Sequence, residues 1–295
     1  MPAEAGSSGA DSSTSDADVP DPGLEGSSSS TGQGPSAETG QEASSGSTTG
    51  ADDDGGTTTG GLDTGSSSGG VARLGCDALP DALLCEDFDG ELDPSVWQTV
   101  NAPGADAVIV DGQLQIQLSS LDNAHAFIRT ESIFPVADNR FFGRVMLQIT
   151  PYSPTGHDYL MSAEGPLDGT TARYRLDSNN SGRLNSRYTH ASVPQHGGWR
   201  KLGHQTQGEA WTCLEWEFDG ATNSIRFWFD GVLDEEMLVD GAVEDPPWVA
   251  PAFERFELGY RTYQAAQNGD DFTISYDDLA LDVSRIGCPD QRSSG

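Results

Sequence analysis

Alternation of apolar and polar side chains at every second residue is the feature that most constrains the fold of this chain. Residues 114–118 alternate Leu and Ile with Gln, and residues 145–149 place Val, Leu and Ile on one face and Met and Gln on the other. A period of two is that of a β-strand whose two sides meet different environments. No stretch combines helical spacing of apolar residues with helix caps. The pattern therefore predicts a chain made almost entirely of strands.

Turn sequences separate these strands and predict how they are joined. Residues 211–218 alternate apolar and polar side chains, a turn follows at Asp219-Gly220, and a second alternating run ends at Asp230-Gly231. Turns of this kind join neighbouring antiparallel strands. Further strands are predicted at 253–260 and 272–283. About a dozen strands in one domain, residues 75–290, predict an all-β, two-sheet antiparallel jelly roll.

The first 74 residues differ from the rest of the chain in amino-acid composition. Residues 1–70 contain no Lys, Arg, His, Cys, Phe, Trp or Tyr, and are rich in Ser, Gly, Thr and Asp. A segment with so little apolar surface cannot offset the entropy cost of ordering its backbone. We predict that residues 1–74 are a disordered linker and that residues 291–295 are a disordered tail.

Charge limits the partners of the chain, and the linker bears on its location. The formal net charge is −32, and 12 of the 47 acidic residues lie in the linker. Such a charge argues against nucleic acid as a partner, and no apolar run is long enough to span a membrane.

The sequence as given has no signal-peptide pattern. A long Ser/Gly/Thr/Asp spacer is nevertheless typical of bacterial surface lipoproteins, so we expect an extracellular or cell-surface protein, with the cytoplasm as the alternative.

Four cysteines, Cys76, Cys85, Cys213 and Cys288, offer a constraint on topology. None forms a Cys-x-x-Cys pair, which argues against a zinc ribbon or a thioredoxin-like site. An even number suits an oxidising compartment and allows three pairings. If the first and last strands pair, Cys76 lies near Cys288 and Cys85 is left for Cys213. Four free thiols are the alternative.

Five segments carry a family resemblance, and they lie at 84–90, 211–220, 226–231, 256–264 and 276–281. They resemble the concanavalin A-like jelly rolls. Among these, the chain is most similar to the polysaccharide-lyase-like core of the cellulose-induced secreted proteins, which include glucuronan lyases. The resemblance covers about residues 76–290 and implies a cleft across one sheet that binds a sugar chain.

A lyase acting on a uronic acid polymer needs a group that neutralises the carboxylate, a base and an acid. Residues 127–131 resemble the Arg-Thr-Glu strand of alginate lyases of this fold, which implies that Arg129 neutralises the carboxylate. By the same resemblance, His157 would be the base, Tyr263 the acid and Gln264 a sugar ligand. Thr155 stands where those enzymes carry Gln. The alternative is that these are ordinary surface or core residues.

Strand alternation adds candidates for sugar binding. Arg173 and Arg175 share one face of a strand, Arg187 lies on a following strand, and Trp228 is opposite in phase to its apolar neighbours. Seven of the 15 basic residues lie between residues 173 and 226. This concentration predicts a local positive surface for an acidic polysaccharide, with Trp228 stacking on a sugar ring. Solvent-facing strand charges, and a Trp228 buried on a second sheet face, are the alternatives.

The resemblance also implies a structural calcium ion, held by a carboxylate after the first strand and an Asp in the last. The matching residues are Asp89 and Asp277, with Asp111 as a third candidate. Calcium takes six to eight oxygen ligands, so backbone carbonyls and water would complete the set. Aspartates that cap turns are the alternative.

Together these features favour an extracellular polysaccharide-active domain. β-Elimination in a uronic-acid-containing glycan is the leading activity that the resemblance implies. A non-catalytic carbohydrate-binding or adhesion module is the alternative, and a purely structural surface protein also stays open.

Overall fold

The structure is a computed structural model. It describes residues 75–119, 123–150, 157–178, 183–194, 198, 203–205, 210–263 and 272–288. The predicted linker and tail, 1–74 and 291–295, and Gln264 lie outside these residues. Among the described residues, no helix is long and apolar enough to cross a membrane. Short 3-10 turns lie at Cys76–Ala78 and Ala137–Asn139.

Fifteen strands lie within the described residues. They are β1 Leu84–Glu86, β2 Gln98–Asn101, β3 Ala105–Val110, β4 Gln113–Leu118, β5 His125–Thr130, β6 Arg140–Thr150, β7 Asp158–Leu167, β8 Thr170–Ser178, β9 Leu184–Thr189, β10 Thr212–Asp219, β11 Ser224–Phe229, β12 Val232–Leu233, β13 Val239–Asp240, β14 Arg255–Thr262 and β15 Phe272–Asp282.

The strands form two antiparallel sheets. The nine-stranded sheet has the order β12-β11-β10-β6-β15-β4-β3, with β1 added on β15 and β13 on β11. The six-stranded sheet has the order β2-β5-β14-β7-β8-β9. The predicted two-sheet, all-β jelly roll is therefore confirmed.

The core lies between the inner faces of the two sheets. Phe141 of β6 makes edge-to-face contacts with Phe218 and Phe253, at ring-centroid distances of 5.7 and 5.8 Å. Trp216 stacks on Phe256 of the opposite sheet at 5.5 Å. All five rings are buried, and their burial is the main force that holds the sheets together. The alternating apolar residues predicted to share one side of β6 and of β10 are the ones that face this core.

The disulfides correct the predicted pairing. They join Cys76 to Cys85 and Cys213 to Cys288, with Cα–Cα distances of 5.5 and 5.9 Å. The first and last strands do pair, but Cys85 lies opposite Ala280 there. In the sheet, β6 lies between β15 and β10. The segment that follows β15 crosses over β6, and this brings Cys288 to Cys213 in β10. The predicted bridges Cys76–Cys288 and Cys85–Cys213 are wrong, and so is the free-thiol alternative.

Candidate functional site

A polar row crosses the outer face of the six-stranded sheet. Each strand contributes one residue, and register pairs each of these with the next. At about 4.8 Å between strands, the row is about 24 Å long. Three of its six members are arginines, so the row is rich in positively charged hydrogen-bond donors. In sheet order the row is Gln98, Arg129, Glu257, Ser162, Arg175 and Arg187.

A bulge brings one tyrosine to this face. The register of β7 shifts between Tyr159 and Met161 against β8, and that of β14 shifts between Leu258 and Arg261. Such irregularities re-aim side chains beside functional sites. Here Tyr159 faces the same side as Ser162, although the two are three residues apart. The two hydroxyls are in hydrogen-bond contact.

Arg129 lies on this face and is ion-paired there. Its Nε–H donates to Oε1 of Glu257 at 2.6 Å. The hydroxyl of Tyr159 donates to the other oxygen of Glu257 at 2.7 Å. Glu257 is therefore bonded from two sides, and the guanidinium of Arg129 already has a carboxylate partner within the protein.

Arg175 lies between two tyrosines. Its guanidinium carbon is 4.2 Å from the ring centre of Tyr159, a cation–π contact. Its Nη2–H donates to the hydroxyl oxygen of Tyr263 at 3.0 Å, and its Nε–H donates to Asp177 at 2.9 Å. Because the arginine is the donor, the hydroxyl of Tyr263 keeps its own proton for another acceptor.

His157 and Tyr263 lie next to each other at adjacent strand ends. The backbone N–H of Tyr263 donates to the carbonyl of His157 at 3.1 Å. Both residues are half-buried. The structure therefore places two of the three residues predicted to be catalytic, His157 and Tyr263, side by side, whereas Arg129 lies farther along the face, opposite Glu257. They belong to one series of contacts, which runs through Arg129, Glu257, Tyr159, Arg175, Tyr263 and His157.

Burial and charge set the protonation of these groups. Burial, and next the charge of Glu257, hold the pKa of Tyr159 well above its usual value, so this tyrosine is a donor and not a base. Burial raises the pKa of Asp177, and Arg175 and Arg187 oppose this effect. Burial acts to lower the pKa of Arg175, but the charge of Asp177 and the neighbouring tyrosines raise it overall, so Arg175 is a permanent cation.

The other arginines predicted to bind sugar lie on the same face. Arg173 is ion-paired with Glu164, which also binds Arg255. Arg187 approaches Asp177, with 3.6 Å between Nη1 and Oδ2. The alternation of β8 therefore placed Arg173 and Arg175 correctly on one surface, and their role in sugar binding stays a prediction.

The placement of Trp228 among these residues was wrong. Trp228 lies in β11 of the nine-stranded sheet and is 9% exposed. The guanidinium of Arg285 lies 4.5 Å from its ring centre, and that guanidinium is bonded to Glu215 at 2.7 Å. The alternation showed correctly that Trp228 faces away from its neighbours, but it could not show which sheet the strand would join.

Asp158, beside His157, is a buried carboxyl that makes stability depend on pH. It accepts a hydrogen bond from Ser178 at 3.1 Å, and Tyr260 and Thr262 also bond to it. Burial raises its pKa from 3.8 to about 6. The folded state therefore holds this proton more tightly than the unfolded state. The contribution to stability is fully present below pH 3.8 and is lost as the pH rises through about 6.

We expect Asp158→Asn to flatten the pH dependence of the free energy of unfolding. In the unmodified protein, this group should lower that free energy by about 2 kcal/mol between pH 4 and pH 7, at about 1.4 kcal/mol per pKa unit. Denaturant titrations across that range measure the effect. Asp168→Asn, in the exposed turn after β7, is the control. Equal pH profiles for the two variants would contradict the assignment.

The three aspartates proposed as calcium ligands do not form a cluster. Asp111 is exposed in the turn between β3 and β4, with a φ of 53°. Asp277 is buried in β15 and accepts the N–H of Asp278 at 2.9 Å, while Asp89 is exposed after β1. Within the described part of the chain, no three His, Cys, Asp or Glu side chains are close enough to hold a metal ion.

Calcium binding therefore stays a proposal, in which Asp277 would need backbone and water oxygens to complete the ligand set. We expect a chelator to lower the melting temperature of the unmodified protein and to leave that of Asp277→Asn unchanged. Differential scanning calorimetry, with and without the chelator, measures both. An unchanged midpoint for the unmodified protein excludes a tight structural calcium ion.

Sequence reasoning missed three residues of the face, although weak signals for each were present. Asp177 continues the alternation that placed Arg173 and Arg175 on one side of β8. Glu257 alternates with buried neighbours in β14. Tyr159 follows His157 closely, but its orientation depends on the bulge in β7, which the sequence pattern does not reveal.

Comparisons with known proteins show the fold. No family model matches the chain, and no curated protein sequence matches it. Among solved structures, the chain is similar to cellulose induced protein Cip1, at 17% identity and a TM-score of 0.53, covering 70% of this chain and 99% of that one. It is also similar to Rv0315, an immunostimulatory antigen and pseudo beta-1,3-glucanase of Mycobacterium tuberculosis, at 14% identity and a TM-score of 0.50, covering 69% and 99%.

A third similar structure is the laminarinase catalytic domain from Thermotoga maritima MSB8, at 13% identity and a TM-score of 0.50. The match covers 68% of this chain and 96% of that domain. At these identities the likeness establishes the architecture alone. The predicted concanavalin A-like jelly roll is thereby confirmed.

Proposed function

We propose that the domain is an extracellular carbohydrate-active protein that binds a uronic-acid-containing polysaccharide on the outer face of the six-stranded sheet and cleaves it by β-elimination. The observation that carries the proposal is that His157 and Tyr263 are neighbours, joined by a backbone hydrogen bond, and that the buried guanidinium of Arg175 donates to the hydroxyl of Tyr263. Similar structures named as a laminarinase and a pseudo glucanase support a carbohydrate as the ligand. The two disulfides support an oxidising, extracellular setting.

The chemistry assigns one task to each group. His157 removes the proton from C5, the carbon that bears the carboxylate. The electron pair of that C–H bond forms the C4–C5 double bond, and the bond from C4 to the bridging oxygen breaks. Tyr263 gives its hydroxyl proton to the departing oxygen. Arginine on the face stabilises the negative charge that spreads onto the carboxylate during proton removal.

The ion pairs of the face favour elimination over hydrolysis. Glycoside hydrolases need two carboxyl groups, one of them protonated to serve as the acid. Glu164 and Glu257 are the glutamates of the central strands, and each is ion-paired with arginine. Ion pairing favours the charged form of a carboxyl group. These residues are therefore poorly suited to donate a proton to a glycosidic oxygen.

The activity assay follows the ultraviolet absorbance of the unsaturated uronate product. The full chain is incubated with glucuronan, with alginate and with a neutral β-glucan. We expect absorbance to rise with at least one uronate polymer and to stay flat with the neutral glucan. No rise with any uronate polymer would contradict the lyase assignment.

A non-catalytic binding module is the second candidate, and one observation favours it. Arg129, which the resemblance casts as the carboxylate-neutralising residue, is already ion-paired with Glu257. Affinity electrophoresis in gels that contain the same polymers separates the two functions. Retardation by a uronate polymer that yields no unsaturated product would assign the domain to binding alone.

A further inference from the structure

Two aromatic rings lie on the outer face of the six-stranded sheet, away from the core. Phe127 of β5 and Tyr159 of β7 are 4% and 6% exposed, yet neither belongs to the cluster that packs between the sheets. Their ring centres are 4.8 Å apart, although β14 lies between the two strands. The rings can meet because Gly259, which pairs with Phe127, has no side chain, and a Cβ atom there would lie 2.7 Å from the Phe127 ring. Core packing therefore does not explain why these rings are buried.

The two rings begin a stack in which aromatic and cationic side chains alternate. The guanidinium carbon of Arg175 lies 4.2 Å from the ring centre of Tyr159 and 5.8 Å from that of Tyr263. The guanidinium carbon of Arg261 lies 4.7 Å from the ring centre of Tyr263. An arginine over an aromatic ring is attracted by the quadrupole of the ring, and more strongly where water is excluded. The stack therefore connects the buried ring of Phe127 to Tyr263, the proposed acid.

Arg175 is held on two sides and reaches Tyr263 on a third. Its Nε–H donates to Asp177 at 2.9 Å, the ring of Tyr159 contacts the centre of the guanidinium, and its Nη2–H donates to the hydroxyl oxygen of Tyr263 at 3.0 Å. That last bond occupies one direction at the hydroxyl oxygen. The orientation of the guanidinium therefore determines where the hydroxyl proton of Tyr263 can point.

We propose that Tyr159 is a positioning residue for elimination, whose ring holds Arg175 in the orientation that binds the hydroxyl of Tyr263. This role rests on the proposed function. It belongs to the π face of the ring and not to the hydroxyl of Tyr159, which donates to Glu257 at 2.7 Å. Without the ring the guanidinium can tilt, and the hydroxyl of Tyr263 loses its fixed direction. A misplacement of about 1 Å in an active site lowers the rate by about 100-fold.

Kinetic constants of variants at position 159 separate the ring from the hydroxyl. The rate of product absorbance with glucuronan gives kcat and KM. Tyr159→Phe keeps the ring, so both constants should stay within about threefold of those of the unmodified protein. Tyr159→Leu removes the ring and should lower kcat about 10- to 100-fold, while KM changes by less than about threefold. If Tyr159→Leu does not fold, Tyr159→Met fills the same space without a π face, and the same loss of kcat is expected.

Phe142→Leu is the matched control. Phe142 of β6 is 7% exposed on the nine-stranded sheet, and the guanidinium carbon of Arg140 lies 4.8 Å from its ring centre. This substitution also removes a buried ring that contacts an arginine, so it should lower stability and leave kcat unchanged. The proposal is overturned if Tyr159→Phe loses as much kcat as Tyr159→Leu, because the hydroxyl would then carry the effect. It is also overturned if a folded Tyr159→Leu protein keeps the kcat of the unmodified protein.

A spectroscopic measurement separates this inference from the proposed function. The full chain, labelled with ¹³C at the Cζ atom of tyrosine, gives a nuclear magnetic resonance signal for Tyr263 that is assigned by its loss in Tyr263→Phe. We expect this signal to move in Tyr159→Leu and to stay in place in Tyr159→Phe. That pattern in a protein that yields no unsaturated product removes the lyase function and keeps the link from Tyr159 to Tyr263. Unsaturated product from the unmodified protein, with the same Tyr263 signal in all three proteins, does the reverse.

Discussion

Tyr263→Phe is expected to lower the turnover number of elimination by about 100- to 10,000-fold, the range for loss of a general acid. The hydroxyl of Tyr263 accepts from Arg175 and so keeps its own proton available for the departing oxygen. Phenylalanine preserves the ring, which Arg175 and Arg261 approach to 5.8 and 4.7 Å. The dissociation constant for a glucuronate oligosaccharide should therefore change by less than about threefold, while product absorbance reports the lost turnover.

Tyr188→Phe is the matched control for that substitution. Tyr188 lies in β9 of the same sheet and donates to the carbonyl of Val249 at 2.7 Å, away from the polar row. Its loss should cost about 1 kcal/mol of stability and leave turnover unchanged. Full activity in Tyr263→Phe would show that the proton for the departing oxygen comes from another group.

Removing the disulfide between Cys213 and Cys288, by Ser at both positions, should lower the free energy of unfolding by about 4 kcal/mol. The bridge spans 75 residues, so it restricts the unfolded chain strongly. It also holds the C-terminal segment on β10, where the N–H of Gly287 donates to Glu215 at 2.7 Å and Arg285 bonds to the same carboxylate. Glu215 is 1% exposed, and losing these partners would leave its charge buried.

The disulfide between Cys76 and Cys85 is the matched control, since it closes a loop of only nine residues. The same double replacement there should cost about 2.5 kcal/mol by the chain-entropy relation. Guanidinium unfolding of both variants, beside the unmodified protein, measures the difference. If removing the Cys76–Cys85 bridge lowers the free energy of unfolding as much or more, chain entropy and the C-terminal contacts do not determine which disulfide stabilises the protein more.

Local pattern was sufficient to predict most of the fold. Alternation in β10 identified Leu214, Trp216 and Phe218 as core residues, and all three are fully buried. The Asp-Gly turns placed the hairpin of β10 and β11 correctly. These properties depend on residues that are near each other in sequence. Alternation shows which side chains share a face, but the partner sheet depends on long-range topology, and for this reason Trp228 was misplaced.

The sequence predicted which residue types form the candidate site, but it did not predict which side chains pair with one another. Strand phase identified Arg175 and Arg187, whereas their shared partner Asp177 and the pairing of Arg129 with Glu257 depend on the register between strands. The bulges in β7 and β14 change that register locally. The disulfide pairing failed for a related reason, because it depends on the path of the chain across β6 after the last strand.

Mass spectrometry of a digested glucuronate oligosaccharide tests the central claim most directly. Elimination breaks the chain without adding water and leaves one product with an unsaturated end. Hydrolysis adds one water across the same bond. We predict products whose summed mass equals that of the intact oligosaccharide, and their loss in Tyr263→Phe. Products that have gained one water per cleavage, or an oligosaccharide that stays intact, would contradict the assignment of this face as a lyase site.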